Sequence, residues 1–543
     1  MNSLPTRTDV LIAGFGPAGA ALATLLDRYG VATIVVDKAT EIFRAPRAIA
    51  LDNEALRVLQ MCGLEEDAFA TVAIPDVRMH SPYFGQYSRA ITAGDIDGHP
   101  RLVTFFQPEL EQVLRQRLRD SRHVQVRLGL ELVSFAATDA AVIAECRDPD
   151  GRPTRIEARY LVGADGAGSL IRRLLGLEFR GKTYPEDWLI VDALNVPTPI
   201  EHIEFICDPR RPGPHMPAPG NRQRWEFKLQ PGETREAMER PEVVKRLLEP
   251  WTRGADIEVE RVAVYRFHAR VAHAFQAGRV FLVGDAAHIT PPFVGQGLVA
   301  GLRDVANLGW KLAWVCQGRA RPQLLDSYDE ERRPHARAMV DLARFMGRLV
   351  APTSRFKAVL THGSMTLLGR IPRLRRLFEN LEIKPANRFA SGCFVQPSAA
   401  SRLRRGGQVP QCLLRSRMDG RTVPSDDAIG PGFAMVGFGT DPSAGLPDAL
   451  QQSWRAVGGS FVQIDPRGRP QRPSQASRWE DLTGALMPSV VPVGWVAIVR
   501  PDHTVMHDGP ADAAAAMLRQ SLDLFVETVH GTQAEASPAH RAA

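Results

Sequence analysis

Cysteine is scarce in this sequence: its 543 residues include six cysteines, which lie far apart and form no CxxC pair or zinc-ligand spacing. We therefore expect buried thiols in a reducing compartment and no metal site. Long apolar runs are also missing, because no run approaches the roughly 20 residues that cross a bilayer. The first eight residues lack the basic-then-apolar layout of a secretory signal. These absences predict a cytoplasmic protein without a membrane partner.

Blocks of Lys and Arg interleaved with aromatic residues are absent as well. The formal net charge is +6, from 67 Lys and Arg against 61 Asp and Glu, and the basic residues are scattered. Nucleic acid is therefore not an expected partner. A short charge run at 329–333 is interpreted as the solvated face of a helix. The hydrophobic content of 44% over 543 residues predicts a globular protein of two or three packed units.

What the sequence does contain is a glycine-rich turn between two short apolar runs. The runs at 9–13 and 31–37 flank an Ala- and Leu-rich segment at 18–29, and this order predicts a parallel βαβ unit with a buried sheet. Such a unit is typical of nucleotide binding. Further helices are predicted at about 53–61, 108–119, 296–317 and 324–350.

The glycines of this turn are spaced as in dinucleotide-binding proteins. Gly14 permits a tight turn from strand to helix, Gly16 lets the backbone approach a pyrophosphate, and Gly19 allows close packing of helix on sheet. Asp37 ends the second strand at the distance expected for hydrogen bonds with a ribose. The turn predicts a bound dinucleotide, but alone it does not distinguish FAD from NAD.

Two further segments each place an acid after an apolar strand. Asp165 and Gly166 follow the strand that ends near 163, and Gly284 and Asp285 follow the strand at 280–283. The second of these turns holds two prolines and leads into a helix, whose first N–H groups can hydrogen-bond the carbonyl edge of a flavin. Each segment alone could be an ordinary strand end. Together with the glycine turn they predict one flavin site.

In these three motifs the chain resembles the single-component flavin-dependent aromatic hydroxylases, the group A monooxygenases that include para-hydroxybenzoate hydroxylase and phenol hydroxylase. The resemblance covers about residues 8–395. It implies an α/β fold in which a Rossmann-like FAD-binding domain, at about 1–75, 107–180 and 276–395, is interleaved with a β-sheet substrate layer at about 76–106 and 181–275. The region 396–529 resembles the thioredoxin-like domain of such hydroxylases, and 530–543 is expected to be a disordered tail.

The resemblance also implies which residues hold FAD. Val299 stands where many relatives carry an asparagine beside the flavin, so a side-chain bond is not expected there. The expected FAD-binding residues are Gly14, Gly16, Pro17, Ala18, Gly19, Asp37, Lys38, Arg47, Gln107, Asp165, Gly284, Asp285, Pro292, Gly295, Gly297, Leu298 and Val299.

For the chemistry, the resemblance implies that NADH reduces FAD and that O2 supplies the oxygen. Pro292 matches a position whose backbone carbonyl lies where the flavin reacts with O2, while His268 and Tyr265 are candidates to ionise or orient a phenol. Either of these two could equally be an ordinary hydrogen-bonded strand residue, and His288 is expected to be a structural partner of its turn. A guanidinium suits a substrate carboxylate. The candidates are Arg210, Arg211, Arg222, Arg224 and Arg266.

Several segments outside the flavin motifs are similar to the bacterial 3-(3-hydroxyphenyl)propionate and 3-hydroxycinnamate hydroxylases. They are 46–49, 181–183, 207–209, 224–227, 231–234 and 427–430. A small phenolic acid is therefore the expected substrate. The alternatives are a hydroxylase of another phenol or a polyketide, and a non-catalytic FAD-binding regulatory module. Because the C-terminal region has no CxxC, we expect it to give structural support or homodimer contacts instead of redox chemistry.

Overall fold

The first sheet of the protein is an eight-stranded, mostly parallel sheet near the N-terminus. The computed structural model describes residues 6–44, 48–399, 401–469 and 474–526, so the predictions for Arg47 and for the tail at 530–543 lie outside the described residues. The strand order is β10-β2-β1-β13-β12-β11, with β20 beside β13 and β19 beside β20. These strands are β1 (Thr6–Ala13), β2 (Thr33–Asp37), β10 (Val124–Leu128), β11 (Glu131–Ala137), β12 (Val142–Arg147), β13 (Pro153–Gly163), β19 (Gln276–Ala277) and β20 (Val280–Leu282).

The second sheet also has eight strands, and its strands alternate along the chain with those of the first sheet. The order is β21-β18-β14-β17-β16-β15-β5-β6, and β21 continues directly from the turn after β20. The turn at 284–297 therefore follows directly after a strand of the first sheet and is hydrogen-bonded to the second sheet through β21. These strands are β5 (Asp76–Ser81), β6 (Gly85–Ile91), β14 (Phe179–Leu194), β15 (Ile203–Ile206), β16 (Gly213–Ala218), β17 (Arg222–Lys228), β18 (Glu258–Ala272) and β21 (His288–Ile289).

The third sheet lies in the C-terminal part and has the order β23-β22-β26-β25-β24-β27-β28. Its centre pairs β24 with β25 in parallel and β24 with β27 antiparallel. The strands are β22 (Leu413–Ser416), β23 (Thr422–Pro424), β24 (Ala434–Phe438), β25 (Ser460–Pro466), β26 (Ser477–Asp481), β27 (Trp495–Val499) and β28 (Val505–Pro510). Two small sheets are formed by β3 (Ala50–Asp52), β4 (Thr71–Ala73) and β9 (Leu102–Phe105), and by β7 (Asp95–Ile96) and β8 (His99–Pro100).

Helices cover the three sheets, and the predicted ones lie within a few residues of their expected bounds. The α-helices are α1 (Pro17–Arg28), α2 (Asn53–Met61), α3 (Gln107–Arg117), α4 (Leu170–Leu174), α5 (Arg235–Met238), α6 (Pro241–Thr252), α7 (Gly297–Cys316), α8 (Ser327–Val350), α9 (Arg355–Leu368), α10 (Pro372–Glu379), α11 (Ser425–Ile429), α12 (Asp448–Ala456) and α13 (Ala514–Leu522). Short 3₁₀ helices span Gly284–Ala286, Pro292–Val294, Pro322–Asp326 and Ala511–Ala513. No described helix has the length and apolar character needed to cross a membrane.

Burial explains the predicted βαβ unit. In β1, Val10, Leu11 and Ile12 are fully buried, since helices cover both faces of the sheet. Residues 19–26 of helix α1 are all buried, so this part of the helix is covered on every side, and it packs against α7 as well as the sheet. This packing fixes the start of α1 and the start of α7 on the same side of the first sheet.

The charge run at 329–333 is not the solvated face that its sequence suggested. Glu331 and Arg332 are 1% and 0% exposed, whereas Glu330 is exposed. Glu331 binds Lys311 of α7 at 2.9 Å and Arg500 after β27 at 2.7 Å. The interpretation was wrong because buried charges of opposite sign reach α8 from distant parts of the chain, which periodicity in one helix does not reveal.

Candidate active site

A cavity of about 890 Å³ lies between the turns of the first sheet and one face of the second sheet. This volume lies within the range of small-molecule and cofactor sites. Eleven of the predicted site residues line it: Gly16, Pro17, Ala18, Gln107, His268, Gly284, Asp285, Pro292, Gly295, Gly297 and Leu298. Seven others do not: Gly14, Gly19, Asp37, Lys38, Asp165, Tyr265 and Val299.

The three glycines of the glycine turn have different surroundings: two are packed against backbone atoms and one faces open space. A Cβ on Gly14, where φ is +106°, would lie 2.3 Å from the carbonyl oxygen of Ala164, and a Cβ on Gly19 would lie 2.0 Å from that of Gly14. A Cβ on Gly16 would meet no described atom within 4 Å. Because Gly16 is the N-cap of α1 and has no side chain to satisfy the first N–H groups, these groups are available to an anion. The open space beside Gly16 fits a pyrophosphate.

Asp37 and Lys38 lie at the end of β2, beside this turn. The carboxylate of Asp37 accepts hydrogen bonds from the N–H of Phe15 at 2.6 Å and of Ala39 at 2.8 Å. It therefore holds the glycine turn in place, and its role toward a ribose stays a prediction. Lys38 is exposed and lies 3.7 Å from Glu131.

Asp165 acts on the backbone that follows it. Its Oδ2 accepts the N–H of Leu170 at 2.7 Å and of Ile171 at 3.2 Å, which fixes the start of α4. Its buried Oδ1 accepts no hydrogen bond from a described residue. Since the neighbouring Ala164 and Gly166 line the cavity, this motif presents backbone to the cavity while its acid holds the turn.

A carboxylate on α7, not foreseen from the sequence, clamps the third turn. Asp304 is fully buried, and its Oδ2 accepts the N–H of Gly284 at 3.0 Å and lies 2.7 Å from Nε2 of His288. Its Oδ1 accepts from Arg332 at 2.9 Å. His288 is thus held inside the turn, which agrees with the structural role expected for it. The cations beside Asp304 keep its pKa below the ordinary value although burial acts to raise it.

The start of α7 faces the cavity and is surrounded by a second ionic cluster. Gln296 is the N-cap residue, and its side chain donates to Asp52 at 3.0 Å and accepts from Arg303 at 2.9 Å. Lys384 binds Asp52 at 2.8 Å and Glu54 at 2.9 Å. Burial opposes ionisation of both acids, but the two cations lower the pKa of each. The first N–H groups of α7, at 297–299, have no partner within the helix. Gly297 and Leu298 line the cavity, so the positive end of the helix lies beside it and favours a negatively charged flavin.

Val299 itself is fully buried in the hydrophobic core and does not reach the cavity with its side chain. Gly297 and Leu298 line the cavity instead, and a Cβ on Gly297 would meet no described atom within 4 Å. The sequence analysis expected no side-chain bond to the flavin at Val299, and the burial of this side chain is consistent with that expectation. Its contribution to a flavin would be through the backbone.

The three candidate catalytic residues occupy different surroundings. Pro292 lines the cavity, and its carbonyl accepts the N–H of Gly295 at 3.0 Å, which leaves a second lone pair for another donor. His268 lines the cavity from β18, with Nδ1 3.0 Å from the hydroxyl of Thr183. Tyr265 packs beside the cavity without lining it.

The five candidate arginines for a substrate carboxylate do not line the cavity among the described residues. All five form ion pairs with acids: Arg210 with Asp208, Arg211 with Glu233, Arg222 with Glu260, Arg224 with Asp192 and Arg266 with Asp187. The cations that do line the cavity were missed from the sequence because they come from loops without a motif: Arg101, Lys384, Arg388 and Arg404.

The second sheet gives the cavity an apolar surface with one carboxylate. Glu226 of β17 lines the cavity and is 3% exposed. The other cavity-lining residues on β15, β16 and β17 are Ile203, Phe205, Pro214 and Met216. Sequence reasoning missed Glu226 because it read the segment 224–227 only as a mark of the subfamily.

These residues fit FAD. The open positions beside Gly16 and Gly297 mark the two ends of a cradle that begins at the N-terminus of α1 and ends at that of α7. The backbone N–H groups at both helix starts suit a pyrophosphate and a flavin ring. A family described as FAD binding domain matches residues 7–343, which is more than half of the chain.

The chain belongs to the FAD-binding domain family. It is 39% identical over 463 residues to a 3-(3-hydroxy-phenyl)propionate/3-hydroxycinnamic acid hydroxylase of Burkholderia cenocepacia (strain HI2424), with 84% of each chain covered. To the hydroxylase of the same name in Shigella sonnei (strain Ss046) it is 37% identical, with 84% of this chain and 83% of that protein covered. A second family, described as HcaD C-terminal domain, matches residues 406–524.

Solved structures of FAD-binding family enzymes share this fold. The flavin-dependent monooxygenase PieE, in complex with FAD and substrate, superposes with a TM-score of 0.80 at 21% identity, covering 96% of this chain and 99% of that one. Aklavinone-11 hydroxylase with FAD and aklavinone gives a TM-score of 0.73 at 24% identity, covering 96% and 100%. The predicted fold class is confirmed, and the chain is a flavoprotein monooxygenase with FAD as its cofactor. The thioredoxin-like assignment of 396–529 and the domain bounds stay predictions.

Proposed function

We propose that this protein hydroxylates 3-(3-hydroxyphenyl)propionate to 3-(2,3-dihydroxyphenyl)propionate, and 3-hydroxycinnamate to 2,3-dihydroxycinnamate, in the catabolism of aromatic acids. The balanced reaction consumes one phenol, one NADH, one proton and one O2, and it releases the catechol product, NAD and one water. The relatives that carry these substrates in their names are 37–39% identical over 84% of the chain. This similarity supports the choice of substrate.

One observation carries the proposal: a single cavity has the three FAD motifs on one side and an apolar sheet surface on the other. When bound, FAD accepts a hydride from NADH and activates O2. The protein then has to place the ring against the flavin and exclude water. Met216, Phe205 and Phe267 give the aromatic ring an apolar surface, while the backbone at 284–298 holds the cofactor opposite them.

The proposed roles of the individual residues follow from this arrangement. The glycine turn and the start of α1 would hold the pyrophosphate, and the start of α7 would hold the flavin ring. Pro292 would offer its carbonyl near the reacting oxygen, and His268 would orient the substrate from β18. Because the glycine motif occurs once, NADH would dock transiently against the FAD site. We also propose a cytoplasmic location, where NADH is supplied, and homodimer formation.

The test is to purify the protein with its flavin and to follow NADH and O2 consumption with a panel of phenolic acids, identifying products by mass. The panel contains the two proposed substrates, the para-hydroxy isomer and 3-phenylpropionate, which has no hydroxyl group. We expect hydroxylation of the two meta-hydroxy acids and none of 3-phenylpropionate. Hydroxylation of the para-hydroxy isomer alone would reject the proposed substrate and favour a hydroxylase of another phenol. A protein that binds FAD but consumes no NADH with any phenol of the panel would be a regulatory module instead.

A further inference from the structure

We propose that Glu226 is the base that accepts the phenol proton of the substrate. This inference rests on the proposed function, because it requires a phenol in the cavity. It assigns a chemical role to a residue of the second sheet, on the side of the cavity opposite the FAD motifs.

The side chain of Glu226 lies on the cavity side of β17, where a ligand can reach it. Its backbone lies in the middle of β17, opposite Ile190 of β14. The neighbouring Trp225 and Phe227 belong to the opposite face of the strand, where they pack against α6, so Glu226 and Arg224 lie on the cavity side. Glu226 is 3% exposed, and its Oε2 accepts no hydrogen bond from any described residue. A buried carboxylate oxygen without a partner is costly unless a ligand supplies one.

Among the residues that the structure describes, the arginines near Glu226 form their ion pairs with Asp192 and none with Glu226. Arg224 gives two hydrogen bonds to Asp192, at 2.6 and 3.0 Å. Arg261 of β18 also lies 3.3 Å from Asp192. The nearby positive charge is therefore shared with Asp192, which faces Glu226 from β14. Tyr265 of β18 packs on the same side of the second sheet.

Burial raises the pKa of Glu226 from 4.5 to about 7, with Asp192 acting in the same direction and the two arginines against it. A phenol ordinarily has a pKa near 10. The pKa of the Glu226 carboxyl is thus closer to that of a phenol than the pKa of an ordinary glutamate is. At neutral pH, Glu226 is still ionised in a substantial fraction of the molecules. Asp52 and Glu54, which also line the cavity, are held ionised by Arg303 and Lys384 and are weaker bases.

The proton step balances without any further reagent. The O–H bond of the phenol breaks, its proton binds a carboxylate oxygen of Glu226, and the electron pair stays on the phenol oxygen. That pair raises the electron density at the ortho carbon, which forms a bond to one oxygen atom of the activated O2 while the bond between the two oxygen atoms breaks, and the second oxygen keeps that electron pair. The ortho carbon then loses its hydrogen as a proton, which ends on the second oxygen as this atom leaves as water. Glu226 returns its own proton to the phenol oxygen and is ionised again. The same negative charge repels the substrate carboxylate and so directs the hydroxyl end of the ring toward β17.

The test compares Glu226→Gln and Glu226→Asp with a control, Glu260→Gln. Glu260 is also on the second sheet and pairs with Arg222 outside the cavity lining, so the control removes one acid without touching the site. For each full-length holoenzyme we would measure the ultraviolet change that marks phenolate formation on substrate binding, and kcat and KM for product against pH. A ring-fluorinated substrate, whose hydroxyl is more acidic, is measured in parallel.

We expect Glu226→Gln to lower kcat by about 100-fold with little change in KM. The rate of product formation by this variant should not increase near pH 7, as it does in the wild type, and should increase only at alkaline pH. The phenolate signal should vanish, and the fluorinated substrate should recover most of the rate. Glu226→Asp should keep the rise near neutral pH, and Glu260→Gln should match the wild type.

A Glu226→Gln enzyme with the wild-type pH profile and phenolate signal would overturn the proposal, as would an equal loss of rate with both substrates. If the wild type hydroxylates a different phenol of the panel, the proposed substrate is rejected and the same comparison on that phenol decides the role of Glu226. If the wild type hydroxylates no phenol, both proposals fail.

Discussion

The glycines of the first turn show how one residue type serves two purposes at adjacent positions. Gly14 and Gly19 are required by the protein itself, because a methyl group at either would press on backbone oxygen. Gly16 is not required in this way, so the space beside it is available to a ligand. The spacing of the three glycines predicted all of these roles, since each role depends on local geometry.

This difference gives the first prediction. Gly16→Ala should fold with the thermal stability of the wild type after the flavin is removed, but it should bind FAD at least about tenfold more weakly, because the methyl group would occupy the cradle. Gly19→Ala should be destabilised even without flavin, since its methyl group meets the Gly14 carbonyl oxygen. Differential scanning calorimetry and FAD titration would measure both effects.

Gly168→Ala is the matched control, because Gly168 is exposed, has no atom near its Cβ position and does not line the cavity. It should change neither stability nor FAD affinity. Equal FAD affinity in Gly16→Ala and the wild type would contradict the assignment of the cradle.

Glu226 gives a prediction about stability that does not depend on activity. Its pKa is raised from 4.5 to about 7 in the folded protein, so its contribution to stability is fully present below about pH 4.5 and is lost as the pH rises through 7. The Glu226→Gln variant has no carboxyl group at this position, so it does not lose this stability as the pH rises. Relative to wild type, the variant should therefore gain stability between pH 5 and pH 8, by up to about 3 kcal/mol.

Denaturant unfolding of the ligand-free protein at the two pH values would measure the gain. Glu260→Gln serves again as the control and should show no such pH-dependent gain. A constant difference between Glu226→Gln and wild type across the range would mean that burial does not perturb this carboxyl.

At the scale of elements, α7 and α8 position the third FAD turn through Asp304. This single carboxylate holds the N–H of Gly284, the ring of His288 and the guanidinium of Arg332. The helices themselves could be predicted from periodicity, to within about three residues. The clamp could not, because it joins residues of α7, α8, β21 and the 3₁₀ helix at Gly284–Ala286, which come together only after folding.

Asp304→Ala should therefore destabilise the protein by about 3–5 kcal/mol, because it leaves Arg332 buried without its carboxylate. The turn should also loosen, so that FAD affinity falls together with stability. Glu330→Gln, an exposed change on α8, should alter neither quantity. Urea unfolding and flavin release from the holoenzymes would measure the two effects. Unchanged FAD affinity in Asp304→Ala would show that the turn does not depend on the clamp.

At the scale of the whole molecule, buried ion pairs tie the third sheet to the FAD-binding part. Arg500 binds Glu331 of α8, and Arg57 of α2 binds Asp426 at 2.6 Å. Lys311 and Arg500 lower the pKa of Glu331 to about 2 against the effect of burial. The sequence predicted a separate C-terminal unit but not these links, because residues about 170 and 370 positions apart carry no common pattern.

Arg500→Met should consequently destabilise the protein by about 3–5 kcal/mol, because the buried carboxylate of Glu331 then keeps only Lys311 as a counter-charge. Its unfolding should also split into two transitions, because the ion pair between the two parts is lost. Arg519→Met, an exposed change on α13, is the control and should preserve a single transition near the wild-type temperature. Calorimetry combined with limited proteolysis would resolve the two parts. A single transition at the wild-type temperature in Arg500→Met would show that this ion pair does not couple them.

The fold class and the position of the flavin site could both be predicted from the sequence, because three local motifs each mark a strand end. The substrate side of the cavity could not. Glu226 and the cavity-lining cations Arg101, Arg388 and Arg404 owe their position to the second sheet and to loops, and the arginines chosen from the sequence are engaged by acids elsewhere. Tertiary pairing of charges decides which polar groups are left for a ligand.

The central claim is that the cavity couples NADH oxidation to insertion of one oxygen atom into a phenolic acid. The most direct measurement is a reaction with 3-(3-hydroxyphenyl)propionate under O2 labelled with the heavy isotope of oxygen. The amounts of NADH consumed, product formed and hydrogen peroxide released are determined in the same reaction. We predict one 2,3-dihydroxy product for each NADH, with one heavy oxygen atom in its new hydroxyl group. NADH oxidation that yields only hydrogen peroxide, or a product whose new oxygen comes from water, would contradict the claim.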